Sequence, residues 1–117
     1  MTNFADIMRA REGIFEIDPQ IEHHFSDGLY AKRMFIPKNY EVGQHAHKYS
    51  HLSILAKGRV LLKTDENVKE YVAPTCIEIK SGIHHIIQSL EDSEWYCIHA
   101  TDEKDEKKVD QVLIERN

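Results

Sequence analysis

The most informative segment of this sequence is Gln44-His45-Ala46-His47-Lys48-Tyr49-Ser50-His51. His45 and His47 are two residues apart, so on an extended strand both side chains leave the same face. A tight bend after them would bring His51 level with the pair. A fourth imidazole is available in Gly82-Ile83-His84-His85, where only one of the two neighbouring histidines can point inward from a strand. Converging imidazoles predict a transition-metal site, for iron, manganese, nickel, copper or zinc.

Around this segment, short apolar runs alternate with turn residues at spacings of about ten residues, which is typical of an antiparallel sandwich or barrel. The fold class is therefore predicted to be all-β. Residues 19–22 are predicted to be a linker, 37–41 a loop, and Lys57-Gly58 the bend of a hairpin. The predicted strands cover residues 29–36, 52–56, 60–64, 68–73, 75–79, 84–90 and 95–100.

The length, composition, charge and cysteine count of the chain limit the classes of protein to which it can belong. With 117 residues and 41% hydrophobic side chains, one domain is predicted over residues 1–117. A net charge of -5 argues against nucleic acid as the main partner. No apolar run approaches the roughly 18–20 residues that span a bilayer, and the N-terminus does not have the features of a secretory signal. Cys76 and Cys97 are too few for a disulfide framework, which predicts free thiols in a reducing cytoplasm.

The histidine spacing resembles the first sequence motif of the cupin superfamily of small jelly-roll barrels. That motif is a glycine, five residues, His-x-His, three or four residues, a glutamate, six residues and a second glycine. Here His45 and His47 fit, His51 stands in the place of the glutamate, and Gly58 follows at the expected distance. Asn39 stands where the leading glycine belongs, which affects turn geometry rather than ligands.

A second cupin motif, centred on Pro-x-Gly-x-x-His, resembles residues 80–85. Gly82 and His85 match, whereas Lys80 replaces the proline and Ser89 takes the place of a closing asparagine. The match assigns the inward role to His85 and the outward role to His84.

The resemblance implies a single cupin domain with a jelly-roll antiparallel barrel over about residues 29–100, an N-terminal arm and a charged C-terminal tail. A histidine in the glutamate position looks like the single-domain cupins whose metal is held by four histidines. The implied ligands are His45, His47, His51 and His85. Four neutral imidazoles would leave a divalent ion its full charge, and their need to be neutral predicts weaker binding at lower pH.

Three further side chains are candidates for a catalytic role. Cys97 resembles the last-strand position that lies near the metal in four-histidine cupins, although a small thiol in the core is the alternative. Arg33 falls among apolar neighbours, so it is either at a barrel edge or an anchor for an acidic substrate. Tyr49, like Gln44, flanks the ligands and either orients them or is exposed to solvent. The other histidines, His23, His24 and His99, are expected to be ordinary surface or core residues.

Open coordination positions would suit a metal-dependent enzyme, most plausibly a dioxygenase-like oxidoreductase that uses iron or manganese on a small molecule. A metal-dependent lyase or isomerase and a non-catalytic small-molecule-binding cupin are the alternatives, and a closed tetrahedral shell would make the metal structural. Cupins of this size usually form homodimers, and residues 1–18 and 109–114 are the segments expected at that contact. No membrane partner is expected.

Overall fold

The structure of the protein is a computed structural model, which describes residues 15–16, 20–44, 48–105 and 107–109. The strands in this part of the chain are β1 (Phe15–Glu16), β2 (Gln20–Ser26), β3 (Leu29–Ile36), β4 (Tyr40–Gln44), β5 (His51–Lys57), β6 (Arg59–Lys63), β7 (Val68–Val72), β8 (Thr75–Ile79), β9 (His85–Ser89) and β10 (Ser93–Ala100). In the same part of the chain, no helix is long and apolar enough to cross a membrane.

The strands form two five-stranded sheets. Sheet A has the order β1-β4-β9-β6-β7, and sheet B has the order β2-β3-β10-β5-β8. The short β1 pairs in parallel with β4, and the other pairings are antiparallel. This arrangement confirms the predicted all-β jelly-roll fold.

The core lies between the inner faces of the two sheets. Along β5, β8 and β10 the buried side chains alternate with more exposed ones, because one face of an antiparallel sheet packs inward and the other meets solvent. Strand β10 shows this most clearly, since every second residue from Ser93 to His99 is buried. Trp95, Met34, Ile87 and Leu55 are among the largest core side chains.

The predicted hairpin at Lys57-Gly58 is wrong. Strand β5 pairs with β10 and β8, whereas β6 pairs with β7 and β9, so the bend carries the chain from sheet B to sheet A. Gly58 has a φ of +94°, and a Cβ at this residue would lie 2.8 Å from the Cα of Ser93. A one-residue link between two apolar runs resembles a tight turn in the sequence, but its positive φ turns the chain across the barrel.

Two other predictions also need correction. Residues 19–22 are not a linker as a whole, because β2 begins at Gln20 and pairs along its full length with β3. The predicted loop over 37–41 is shorter, because β4 begins at Tyr40. Asp27 and Gly28 form the turn between β2 and β3, with Gly28 at a φ of +73°. The segments 1–18 and 109–114, which are expected at a dimer contact, lie mostly outside the described residues.

Candidate functional site

His51 is the first residue of β5 and faces the interior. Its backbone pairs with Ile79 on β8, and its side chain is only 6% exposed. Alternation along β5 explains the orientation, because Ser53 and Leu55 are buried with it while Leu52 is exposed. The His51 side chain therefore points into the barrel, as a side chain that binds a metal there would have to. Its metal-binding role stays a prediction.

His85 begins β9 on the opposite sheet and is 3% exposed. The preceding His84 is exposed, which confirms that only one histidine of the pair points inward. The backbone of His85 pairs with Gln44, and its Nδ1 lies 3.5 Å from the backbone oxygen of Ile83. Because Gln44 immediately precedes His45, the chain enters the first motif directly across from His85.

His45 and His47 lie outside the described residues, so the predicted four-histidine set is described only at His51 and His85. Among the residues that are described, no group of three histidine, cysteine or carboxylate side chains is arranged to hold a metal ion. The complete ligand set therefore stays a prediction.

His99 lies beside His51. The sequence does not predict this contact. It is 5% exposed, and its ring centroid lies 4.2 Å from that of His51, with the two planes tilted by 33°. His99 is expected to be an ordinary surface or core residue, and its burial shows that it belongs to the core. Its contact with His51 depends on the register of β5 against β10, for which the sequence carries no direct signal.

The rings beside His99 continue across sheet B. Phe25 on β2 pairs with Tyr30 on β3, Tyr30 pairs with His99 on β10, and the pairing of Leu52 with Ile98 sets His99 beside His51. We call this inner-face set the ring row; its members are Phe25, Tyr30, His99 and His51.

The far end of the ring row is held by several contacts. A hydrogen bond of 2.7 Å joins the Tyr30 hydroxyl to Nδ1 of His23. The Phe25 and Tyr30 ring centroids are 4.9 Å apart, and the buried Val109 packs against Tyr30. Tyr30 is therefore fixed from both sides, by β2 and by the segment that follows β10.

Cys97 lies on the inner face next to this row. Its side chain belongs to the hydrophobic core, and the hydroxyl of Ser53 donates to its Sγ at 3.8 Å. Cys97 is thus on the same sheet face as His51 and His99. His99 lies two residues further along β10, and His51 lies two residues from Ser53, the residue on β5 that pairs with Cys97. These surroundings match the core-thiol alternative, and a catalytic role for Cys97 stays a prediction.

Arg33 lies on the outer face of sheet B, on the side of β3 opposite the buried Tyr30 and Met34. Its guanidinium donates to the carboxylate of Glu94 at 2.6 Å and forms an ion pair with Glu22 at 3.2 Å. The hydrogen bond to Glu94 raises the pKa of Arg33 above its usual value. Because β3 is flanked by β2 and β10, Arg33 lies neither at an edge of the sheet nor inside the barrel, and a role as a substrate anchor stays a prediction.

Tyr49 extends into solvent with 67% of its surface exposed, and the side chain of Gln44 is outside the described part. The neighbouring Ser50 hydroxyl accepts a hydrogen bond of 3.0 Å from the backbone N–H of Ser81. This contact ties the loop after the first histidine pair to the turn before His85, so the two motifs meet at one end of the barrel.

A cleft of about 200 Å³ adjoins His85. It lies between β7 and β8, which are edge strands of the two sheets. The charged side chains along it are Glu66, Lys69, Glu78 and Lys80. The Nζ of Lys80 is 2.7 Å from a carboxylate oxygen of Glu78, so these two charges offset each other. The apolar part of the lining comes from Leu62, Tyr71, Ile77, Ile79 and Ile83. A small molecule beside His85 would therefore meet both charged and apolar side chains.

No protein-family model and no curated protein matches this sequence. Solved structures do match the fold. A cupin family protein with a double-stranded β-helix fold from Methanocaldococcus jannaschii is 14% identical, with a TM-score of 0.62 over 71% of this chain and 80% of that one. A cupin-2 domain protein from Shewanella frigidimarina is 15% identical, with a TM-score of 0.58 over 86% of this chain and 95% of that one.

A cupin 2 domain-containing protein from Halorhodospira halophila gives the same result, with 12% identity and a TM-score of 0.64 over 80% of this chain and 75% of that one. At these identities the likeness shows the fold and does not extend to ligands or activity.

Proposed function

We propose that this chain, which has the cupin fold, binds one divalent transition metal through His45, His47, His51 and His85. The observation that carries the proposal is the burial of His51 and His85 on the inner faces of opposite sheets. The donors present fit such an ion, because imidazole suits iron, manganese, nickel, copper and zinc, whereas magnesium and calcium prefer oxygen ligands. Iron or manganese is favoured.

We further propose that the metal serves a dioxygenase-like oxidation of a small molecule held in the cleft. The cleft supports this, because His85 forms part of its lining and a bound molecule would lie next to the metal. When bound, the ion would supply Lewis acidity and positions for substrate and dioxygen. The isoleucine and leucine side chains of the lining would contact the apolar part of a bound substrate.

Metal content tests the first proposal. Protein purified without a histidine tag is expected to hold about one transition-metal ion per chain by elemental analysis. His51→Ala and His85→Ala should each lose most of it, because each removes a ligand. The matched controls are His84→Ala and His24→Ala, since both side chains are exposed. Equal metal content in all four variants would overturn the proposed ligand set.

Oxygen consumption tests the second proposal. The metal-loaded protein should take up oxygen with a member of a panel of diketones, phenols, thiols and alkenes, and His85→Ala should not. If no compound supports uptake but some bind in the cleft, the chain is a lyase, an isomerase or a non-catalytic binding protein, and the oxygenase proposal fails.

We also propose that the protein is a cytoplasmic homodimer. Cys76 and Cys97 are both free thiols, as expected of a reducing compartment. Leu29 and Leu52 are 52% and 51% exposed on the outer face of sheet B, where apolar surface favours association. Sedimentation velocity should give a dimer, and Leu52→Glu should weaken it more than Val72→Glu, a similarly exposed site on β7. A monomer at all concentrations would contradict the proposal.

A further inference from the structure

We propose that His99 is a positioning residue for His51 and holds its imidazole in the orientation in which it meets the metal ion. The inference rests on the proposed metal site and adds a residue that the four-histidine ligand set does not contain. His99 lies on β10, on the inner face of sheet B. Its role would be to restrict the ring of a neighbour rather than to bind the ion.

The geometry of the two rings supports this role. Their centroids are 4.2 Å apart and both side chains are buried, so His99 covers one side of the His51 ring. A flat ring at this distance blocks the rotamers that would swing His51 toward β10. The backbone of His51 is also fixed, because it pairs with Ile79 on the other flank. His51 is thus confined from both neighbouring strands.

His99 is held in turn by the rest of the ring row. The Tyr30 and His99 centroids are 6.1 Å apart, with an angle of 20° between the planes. Tyr30 is anchored by its hydrogen bond to His23 and by the ring of Phe25. The support for His51 therefore extends across four strands of sheet B to its edge.

Such confinement matters because a ligand ordered before the metal arrives loses less conformational freedom when it binds. Residues that orient metal ligands commonly change metal affinity by about 10- to 100-fold when they are replaced. A single stacking contact is expected to act at the lower end, so loss of the His99 ring should weaken metal binding about tenfold.

The test compares three variants. His99→Leu fills similar space without a flat ring, His99→Phe keeps a flat ring without nitrogens, and Ile36→Val shortens a buried core side chain outside the ring row. Zinc dissociation constants are measured by competition with a chromophoric chelator, and stabilities by urea unfolding. We expect about tenfold weaker binding for His99→Leu, and binding within about threefold of the unsubstituted protein for His99→Phe and Ile36→Val.

Equal affinity in His99→Leu and the unsubstituted protein would overturn the proposal. A loss in His99→Phe as large as in His99→Leu would overturn it too, because a nitrogen of His99 would then matter. A similar loss in Ile36→Val, in step with its lower stability, would show only general destabilisation and would also count against it.

A second measurement needs no metal. Side-chain NMR relaxation of labelled histidines in the metal-free protein reports the mobility of the His51 ring, assigned by comparison with His51→Gln. The ring is expected to be more mobile in His99→Leu and unchanged in His99→Phe; unchanged mobility in His99→Leu would overturn the positioning role. If the unsubstituted protein binds no metal, the proposed function fails, while this measurement still decides whether His99 orders His51.

Discussion

Tyr30 joins the interior of the barrel to its edge. Its ring is fully buried, yet its hydroxyl reaches the half-buried His23 on β2 at 2.7 Å. A buried hydroxyl without a partner would cost several times more than the hydrogen bond itself contributes. The pairing with His23 therefore allows a tyrosine, rather than a phenylalanine, at this position.

Replacing Tyr30 with phenylalanine should lower the free energy of unfolding by about 1 kcal/mol, because the hydrogen bond to His23 is lost while the ring still packs. Urea unfolding measures the change. The matched control is Tyr49→Phe, which removes a hydroxyl from a side chain that is 67% exposed and should have no effect. Equal changes in the two variants would show that the contact with His23 contributes nothing.

At the same scale, side-chain alternation was enough to predict that His85 or His84, but not both, points inward. It could not predict that His51 touches His99. That contact is set by the register of β5 against β10, which includes a shift between Glu94 and Trp95 that the sequence does not mark. The surroundings of Arg33 are not predictable from the sequence for the same reason, since Glu22 and Glu94 approach it from neighbouring strands.

Among the elements, the link between β5 and β6 is the tightest. Gly58 adopts a φ of +94°, where side chains with a Cβ are strained. The backbone of Asp92 and Ser93 passes directly over it, with the Asp92 oxygen 2.5 Å from where a Cβ would be. Its own carbonyl oxygen accepts a hydrogen bond of 3.0 Å from Ala73. The glycine thus lets three segments meet at one point.

Gly58→Ala should lower the free energy of unfolding by about 2–4 kcal/mol, because the Cβ is strained at this φ and also collides with the β9–β10 connection. Thermal or urea unfolding checks the expectation. Gly43→Ala is the control, since a Cβ there would meet nothing within 4 Å. A loss at Gly58 no larger than at Gly43 would mean that the neighbouring backbone moves aside without cost.

Strand positions were easier to predict than strand partners. Strands β3 and β8 have the predicted bounds, because aromatic and β-branched runs end there at prolines and glycines. Strand β2 was missed, since its sequence Gln20–Ser26 is mostly polar, as suits an edge strand. The prediction of a hairpin at Gly58 is wrong because it assumes that strands adjacent in the sequence pair with each other. Strands β5 and β6 instead belong to different sheets.

At the scale of the whole molecule, the proposed metal links the two sheets. His51 belongs to sheet B and His85 to sheet A, so one ion bound to both would hold the sheets together. A ligand that binds only the folded chain stabilises it by mass action, by about 2.7 kcal/mol at a free concentration 100 times the dissociation constant. Metal binding and thermal stability should therefore change together.

Adding metal at that concentration to chelator-treated protein should raise the midpoint of thermal unfolding by roughly 10 °C. The increase should shrink as pH falls from about 7.5 to about 5.5, because protons compete with the metal for imidazole nitrogens. Differential scanning calorimetry measures both effects. His51→Ala should abolish the increase and His24→Ala should keep it; an increase that survives in His51→Ala would point to a different site.

The fold could be predicted from the spacing of a few residues because cupin motifs mark the ends of strands, where turn residues recur. The histidine pair, Gly58 and Gly82 carried that signal, even with Lys80 in place of the usual proline. The surroundings of the site are harder to predict from the sequence. The cleft beside His85 is formed by β7 and β8, which are brought together by the packing of two sheets rather than by any local pattern.

The division of neighbouring strands between sheets also bears on how the chain reaches its native state. Among the described strands, only β2–β3 and β6–β7 are both consecutive and paired; the other steps along the chain pass from one sheet to the other. Most strands therefore pair with strands that are distant in the sequence. Long loops must close, at a cost in chain entropy, before this pairing can stabilise the chain. Refolding should accordingly be slow for a chain of this size, on the order of milliseconds to seconds, with the two hairpins as its earliest structured parts.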